Sequence, residues 1–101
     1  MEYGLSDNTI SALFSVFKKY NGINQVILYG SRAKGCFKTG SDIDITIKTD
    51  NSFTRDDLLN IAGDFDDSDI PYFVDVSIYE NLSNPDLKAH IDRAGKILYS
   101  A

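Results

Sequence analysis

The sequence predicts a single α/β (α+β) domain in which three segments of helical periodicity alternate with three strand-like runs before a short apolar close. Three observations carry this. Ile10, Leu13, Phe14 and Phe17 recur at i, i+3, i+4, i+7, the stripe of an amphipathic helix. Asp42, Asp44 and Thr46 alternate with Ile43, Ile45 and Ile47, the period-two pattern of a strand with one buried face. The chain of 101 residues, 43% hydrophobic and 25% charged, is enough for one core and too short for a second substrate-binding domain.

The elements follow in order. Ser6 or Asp7 is the expected N-cap of the first helix, and Gly22 its expected stop. The run "QVILYG" reads as a buried strand and "DIDITIKT" as a second, amphipathic one. In "TRDDLLNIAGDF", Thr54 stands three residues ahead of Asp57 as in a capping box, with Leu58, Leu59, Ile61, Ala62 and Phe65 expected on the buried side. "YFVDVSIY" reads as a third strand. Asn84 as N-cap, Pro85 at the first helical position and Gly95 as terminator frame a third helix, leaving "KILYS" as the closing segment. No repeat, low-complexity tract or linker interrupts residues 1–101, so one domain is expected.

Composition excludes several function classes. A net charge of −5 argues against general nucleic-acid binding, which needs clustered Lys and Arg to displace counterions from phosphates. No run of 18 apolar residues and no export leader is visible, so no membrane span is expected and a cytoplasmic location is the default. The lone Cys36 cannot form an internal disulfide, and reads as a partly buried small side chain in a reducing compartment. The sole histidine, His90, falls on a helix where a solvated role is expected. The acidic run Asp64, Asp66, Asp67 and Asp69 reads as a solvated helix end and loop. Tyr3, Tyr20, Tyr72, Tyr79 and Tyr99 read as packing or partner contacts and not as a base-stacking platform.

Chemistry concentrates between Leu28 and Ile47. Residues two apart on a strand stand about 6.5 Å apart on one face, so Asp42 and Asp44 project their carboxylates together. Two such anions repel unless a cation sits between them, and a hard divalent ion such as Mg2+ suits oxygen ligands. Asp75, set among Phe73, Val74, Val76 and Ile78, is a candidate third carboxylate, able to complete a cluster for two metal ions if its strand lies alongside. A lone D-x-D is common, and Asp75 alone could be an edge-strand charge that blunts aggregation. In "YGSRAKG", Gly30 permits a tight turn, Ser31 adds a hydroxyl, and Arg32, Lys34 or Lys38 could neutralise a triphosphate. A simple glycine turn remains the plain alternative. The stretch lacks the G-K-[ST] ending of a P-loop, and "DIDITI" lacks the glycine of an EF-hand loop.

Gly30-Ser31, ten intervening residues, then Asp42-Ile43-Asp44 resembles the G-S-x10-D-x-D signature of the nucleotidyltransferase superfamily that includes DNA polymerase beta, with Asp75 in "FVDVSIY" similar to its third carboxylate. "GSRAKG…SDIDI", "VDVS" and "IDRAGKILY" resemble the minimal nucleotidyltransferase (MNT) group in particular, over essentially the whole chain. This resemblance implies the nucleotidyltransferase fold, a small mixed β-sheet of three to four strands packed against about three helices. It also implies two Mg2+ ions and ATP or another nucleoside triphosphate, with a nucleoside monophosphate transferred to an acceptor hydroxyl. On that reading Asp42, Asp44 and Asp75 are catalytic metal ligands, and Gly30, Ser31, Arg32 and Lys34 bind the nucleotide. The implied partner is a helical HEPN-type toxin, modified on a tyrosine by this chain as antitoxin; a homo-oligomer is compatible with the sequence. Two alternatives stay open: a nucleotide-binding antitoxin that neutralises its partner by binding alone, and an aminoglycoside-type adenylyltransferase, which ordinarily uses an added helical domain to hold its substrate. Template-directed polymerisation fits less well, given the acidic charge.

Overall fold

The computed structural model describes residues 3–38 and 40–101. Its elements are α1 (Asp7–Phe17), β1 (Ile23–Tyr29), α2 (Ser31–Lys34), β2 (Ile43–Thr49), α3 (Arg55–Asp66), β3 (Val74–Ile78), a 3-10 turn (Tyr79–Asn81), α4 (Pro85–Ala94) and β4 (Lys96–Ser100). The strands form one mixed sheet in the order β3-β2-β1-β4: β1 runs antiparallel to β2 and β4, and β2 parallel to β3. A parallel pair needs a crossover, and α3 supplies it.

Helix ends follow local chemistry. The Ser6 hydroxyl accepts from the Thr9 N–H at 3.2 Å, and Thr54 and Asp57 form the expected reciprocal capping box. Asn84 accepts from the N–H groups of Asp86 and Leu87 ahead of a helix that starts on Pro85.

Two local expectations change. The first helix ends at Phe17, well before Gly22. Gly22 (φ +86°) instead opens β1 beside the 50–53 turn, where an added Cβ would stand 2.6 Å from Ser52 Oγ and 2.7 Å from the Phe53 nitrogen. Leu59 is 68% exposed. The buried side of α3 is Ile61 and Phe65, flanked by partly buried Leu58 and Ala62, a stripe at i, i+3, i+4, i+7 from which Leu59 lies about 100° around the helix. Cys36 is also exposed, because it lies in the loop after α2 and not under an element.

The main core lies on one face of the sheet. Leu13, Val16 and Phe17 of α1 and Ile61 and Phe65 of α3 meet Val26, Leu28, Ile43, Ile45 and Ile47. Aromatic edges knit this layer, with Phe17 at 6.0 Å from Phe65 and 5.3 Å from Tyr99. On the opposite face, Ile27 is buried near the C-terminal end of α4: a Cβ on Gly95 would lie 2.6 Å from its Cγ2. Toward the end of the sheet nearest Gly30, Tyr29 and Asp44 on this face are partly buried and Asp75 is exposed. Among the described residues, no helix is long and apolar enough to cross a membrane.

Candidate active site

Register brings the carboxylates together. In the parallel β2–β3 pair Asp44 stands level with Asp75, and in the antiparallel β1–β2 pair it stands level with Tyr29. Cross-strand partners share a face, so Asp44, Asp75 and Tyr29 form one row across three strands, away from the core. Asp42 is exposed one residue ahead of β2. Burial raises the Asp44 carboxyl above the usual carboxylate range, and the charges of Asp75 and Asp42 push the same way. Asp44 is therefore the half-buried member of a repelling acidic group.

Among the described residues, no three His, Cys, Asp or Glu side chains are already drawn into a metal-ligand arrangement. The expected cluster is thus a shared face and not a closed cage. The one ion pair among the described residues joins Lys19 to Asp64, away from these carboxylates. The donor set itself fits a hard divalent cation: Asp44 and Asp75 stand level on adjacent strands and Asp42 lies two residues ahead of Asp44, all offering carboxylate oxygens.

Gly30 ties the turn after β1 to this row. It has φ +77°, and an added Cβ would lie 2.5 Å from Asp44 Oδ2. No other residue type fits that approach without displacing the carboxylate. Ser31 then opens α2, a single turn closed by Lys34 N–H bonding to the Gly30 carbonyl at 3.2 Å. The basic residues of this loop separate. Lys34 is exposed at the end of α2, and Lys38 is exposed beyond it.

Arg32, expected to bind the nucleotide, is 2% exposed, with its guanidinium engaged inside the protein. Its Nε and Nη2 donate to the Ser41 carbonyl at 3.1 and 2.8 Å, Nη1 donates to the Tyr3 carbonyl at 3.0 Å, and its plane lies 4.3 Å from the Tyr72 ring centroid. The guanidinium points inward because α2 turns it under the loop.

Tyr29 and Ser77 join the site without having been singled out from sequence. Burial raises the Tyr29 phenol, the Asp75 and Asp44 charges add to this, and a hydrogen bond with Ser77 opposes it. Ser77 also donates to Thr46 Oγ1 at 3.0 Å. Period-two counting from Asp75 to Ser77 and from Asp44 to Thr46 was the available signal; the level pairing of β2 with β3 was not.

Residues 11–101 match the family model described as Polymerase beta, Nucleotidyltransferase. The chain belongs to this nucleotidyltransferase family. As a polymerase beta-type nucleotidyltransferase it shares its fold with three solved structures. One is a toxin-antitoxin with AMP-PNP (TM-score 0.73, 21% identity), of which this chain aligns over 96% of its own length and 75% of the other's. A mutant of the toxin-antitoxin MntA-HpeT gives TM-score 0.70 at 18% identity, again over 96% and 75%. The third, the tri-AMPylated Shewanella oneidensis HEPN toxin in complex with MNT antitoxin, gives TM-score 0.70 at 14% identity over 96% and 74%. No curated protein matches the sequence.

Proposed function

We propose that this chain is an antitoxin that transfers AMP from ATP to a tyrosine hydroxyl of a helical HEPN-type toxin. The observation that carries the reading is the close approach of the Gly30 backbone to the Asp44 carboxylate, where a Cβ would lie 2.5 Å from Oδ2; it sets the turn expected to hold phosphates beside the carboxylates expected to direct transfer. The AMP-PNP and tri-AMPylated toxin of the two solved relatives support the choice of nucleotide and partner.

Asp42, Asp44 and Asp75 would hold Mg2+, which when bound would supply charge neutralisation for the triphosphate. Gly30 and Ser31 orient the triphosphate, with Lys34 free to approach it. In the transfer, the acceptor oxygen bonds to the α-phosphorus, the bond from that phosphorus to the bridging oxygen breaks, and pyrophosphate leaves. The hydroxyl proton passes to a carboxylate oxygen, for which exposed Asp75 at the sheet edge is the available base. One AMP adds bulk and negative charge, which repels RNA phosphates if the tyrosine lies near the toxin's RNA site.

Incubating the chain with its toxin partner, Mg2+ and ATP, then weighing the toxin intact, tests this. A gain of one or more AMP groups, lost with Asp44→Asn, is expected. A neutralised toxin of unchanged mass would replace catalysis with neutralisation by binding alone.

A further inference from the structure

We propose that Arg32 is the positioning residue of the site: it contacts no substrate, and its guanidinium fixes the three segments that carry Ser31, Asp42 and Asp75 relative to one another. This rests on the site reading above and goes beyond it, because the loop's buried cation becomes an internal strut and not a phosphate ligand.

Each contact leads to a different part of the site. Arg32 follows Ser31 directly on α2. The Ser41 carbonyl, which receives two of its hydrogen bonds, immediately precedes Asp42. Tyr72, on which it stacks at 4.3 Å, leads into β3 three residues before Asp75, while Phe37 flanks it at 5.2 Å from within the loop. The Tyr3 carbonyl adds the segment before α1.

A guanidinium stays charged at any ordinary pH, and burying it without a carboxylate partner is unfavourable. No carboxylate pairs with Arg32 among the described residues; carbonyl oxygens and aromatic faces take that place. Neutral partners leave Asp42, Asp44 and Asp75 without a competing ion pair. Planarity also matters. A fork can bond two carbonyls while lying flat on a ring, whereas an ammonium offers a point charge that cannot stack in the same way.

The test uses the whole chain and three variants, Arg32→Lys, Arg32→Met and the milder Tyr72→Leu, each first shown to melt cooperatively. Affinity for Mg2+ plus ATP is measured calorimetrically well below each melting temperature and across a salt series. A strut predicts that Lys and Met weaken binding alike, by about tenfold or more, with the salt slope of the wild type retained; Tyr72→Leu weakens it less. Wild-type binding by Arg32→Lys, with a flatter salt slope for Arg32→Met, would make Arg32 a direct phosphate ligand and overturn the proposal. Wild-type affinity in all three would reduce it to a stability contact.

A ligand-free readout separates this from the nucleotide reading. Backbone amide NMR shifts of 31–34, 41–44 and 72–75 should move together in Arg32→Met while those of α3 and β4 stay in place. A change confined to 31–34 would overturn the strut even if the wild type binds ATP. If the wild type binds no ATP yet all three segments move, the strut stands and the nucleotide reading falls.

Discussion

Along β2, Ile43, Ile45 and Ile47 are fully buried under α1 and α3, whereas Asp44, sitting between two of them, has its carboxyl raised by burial and by two like-charged neighbours. One face gains from every contact; the other concentrates charges that repel. The two are opposite sides of the same seven-residue strand. The apolar side therefore holds the acidic side in an arrangement it would not adopt alone, and substitutions on the two sides should separate stability from function.

The largest effect is expected on the buried side. Ile45→Ala should destabilise by about 2–5 kcal/mol, which in a domain of this size lowers Tm by at least about 8 °C. Calorimetry or circular dichroism reads this directly, and a smaller drop would mean that the core collapses around the gap. Next comes the junction of the two sides. Gly30→Ala puts a methyl against the Asp44 carboxylate and strains a positive φ, so the Tm rise induced by Mg2+ plus ATP should disappear, with a loss of about 1 kcal/mol in stability. An unchanged ligand-induced shift would detach the turn from the site.

Thr54→Ala, remote from the carboxylates, serves as a control. Loss of the capping box should lower stability by about 1 kcal/mol and leave nucleotide affinity unchanged in the same titration.

The smallest effect has the opposite sign. Because the folded-state pKa of Asp44 is raised, the native chain binds protons more tightly than the unfolded chain between the ordinary Asp value and the raised one. Stability without ligand should thus fall as pH rises through that window, and this contribution to the slope should vanish in Asp44→Asn. At neutral pH that variant should melt above the wild type while losing the nucleotide response. A lower Tm would show that the carboxylate contributes favourable contacts that outweigh the repulsion.

Much of this was legible in the sequence, for identifiable reasons. Period-two alternation revealed both sides of β2, and the spacing from Gly30-Ser31 to Asp42 and Asp44 singled out a candidate site whose turn and strand the structure sets side by side. Ser6, Thr54 and Asn84 act through neighbours three residues away or fewer, so their caps could be read locally. What could not be read depended on distant partners. Arg32 looked like a loop cation because Tyr3 and Tyr72, which enclose it, are remote in sequence. Leu59 looked buried because the exact orientation of α3 against the sheet was undetermined. Tyr29 gained its place only once β1 and β2 were set in register.

Joining β2 to β3 in parallel has a further consequence, for the order in which the chain becomes competent. Thr46 and Ser77, bonded directly beneath the carboxylate row, are 31 positions apart, with the whole α3 crossover between them. Closing such a long loop is slower than zipping antiparallel neighbours. A partly folded chain thus has Asp42 and Asp44 but not Asp75 level with them, so the carboxylate row is complete only in the finished sheet and is broken by any local opening of β3.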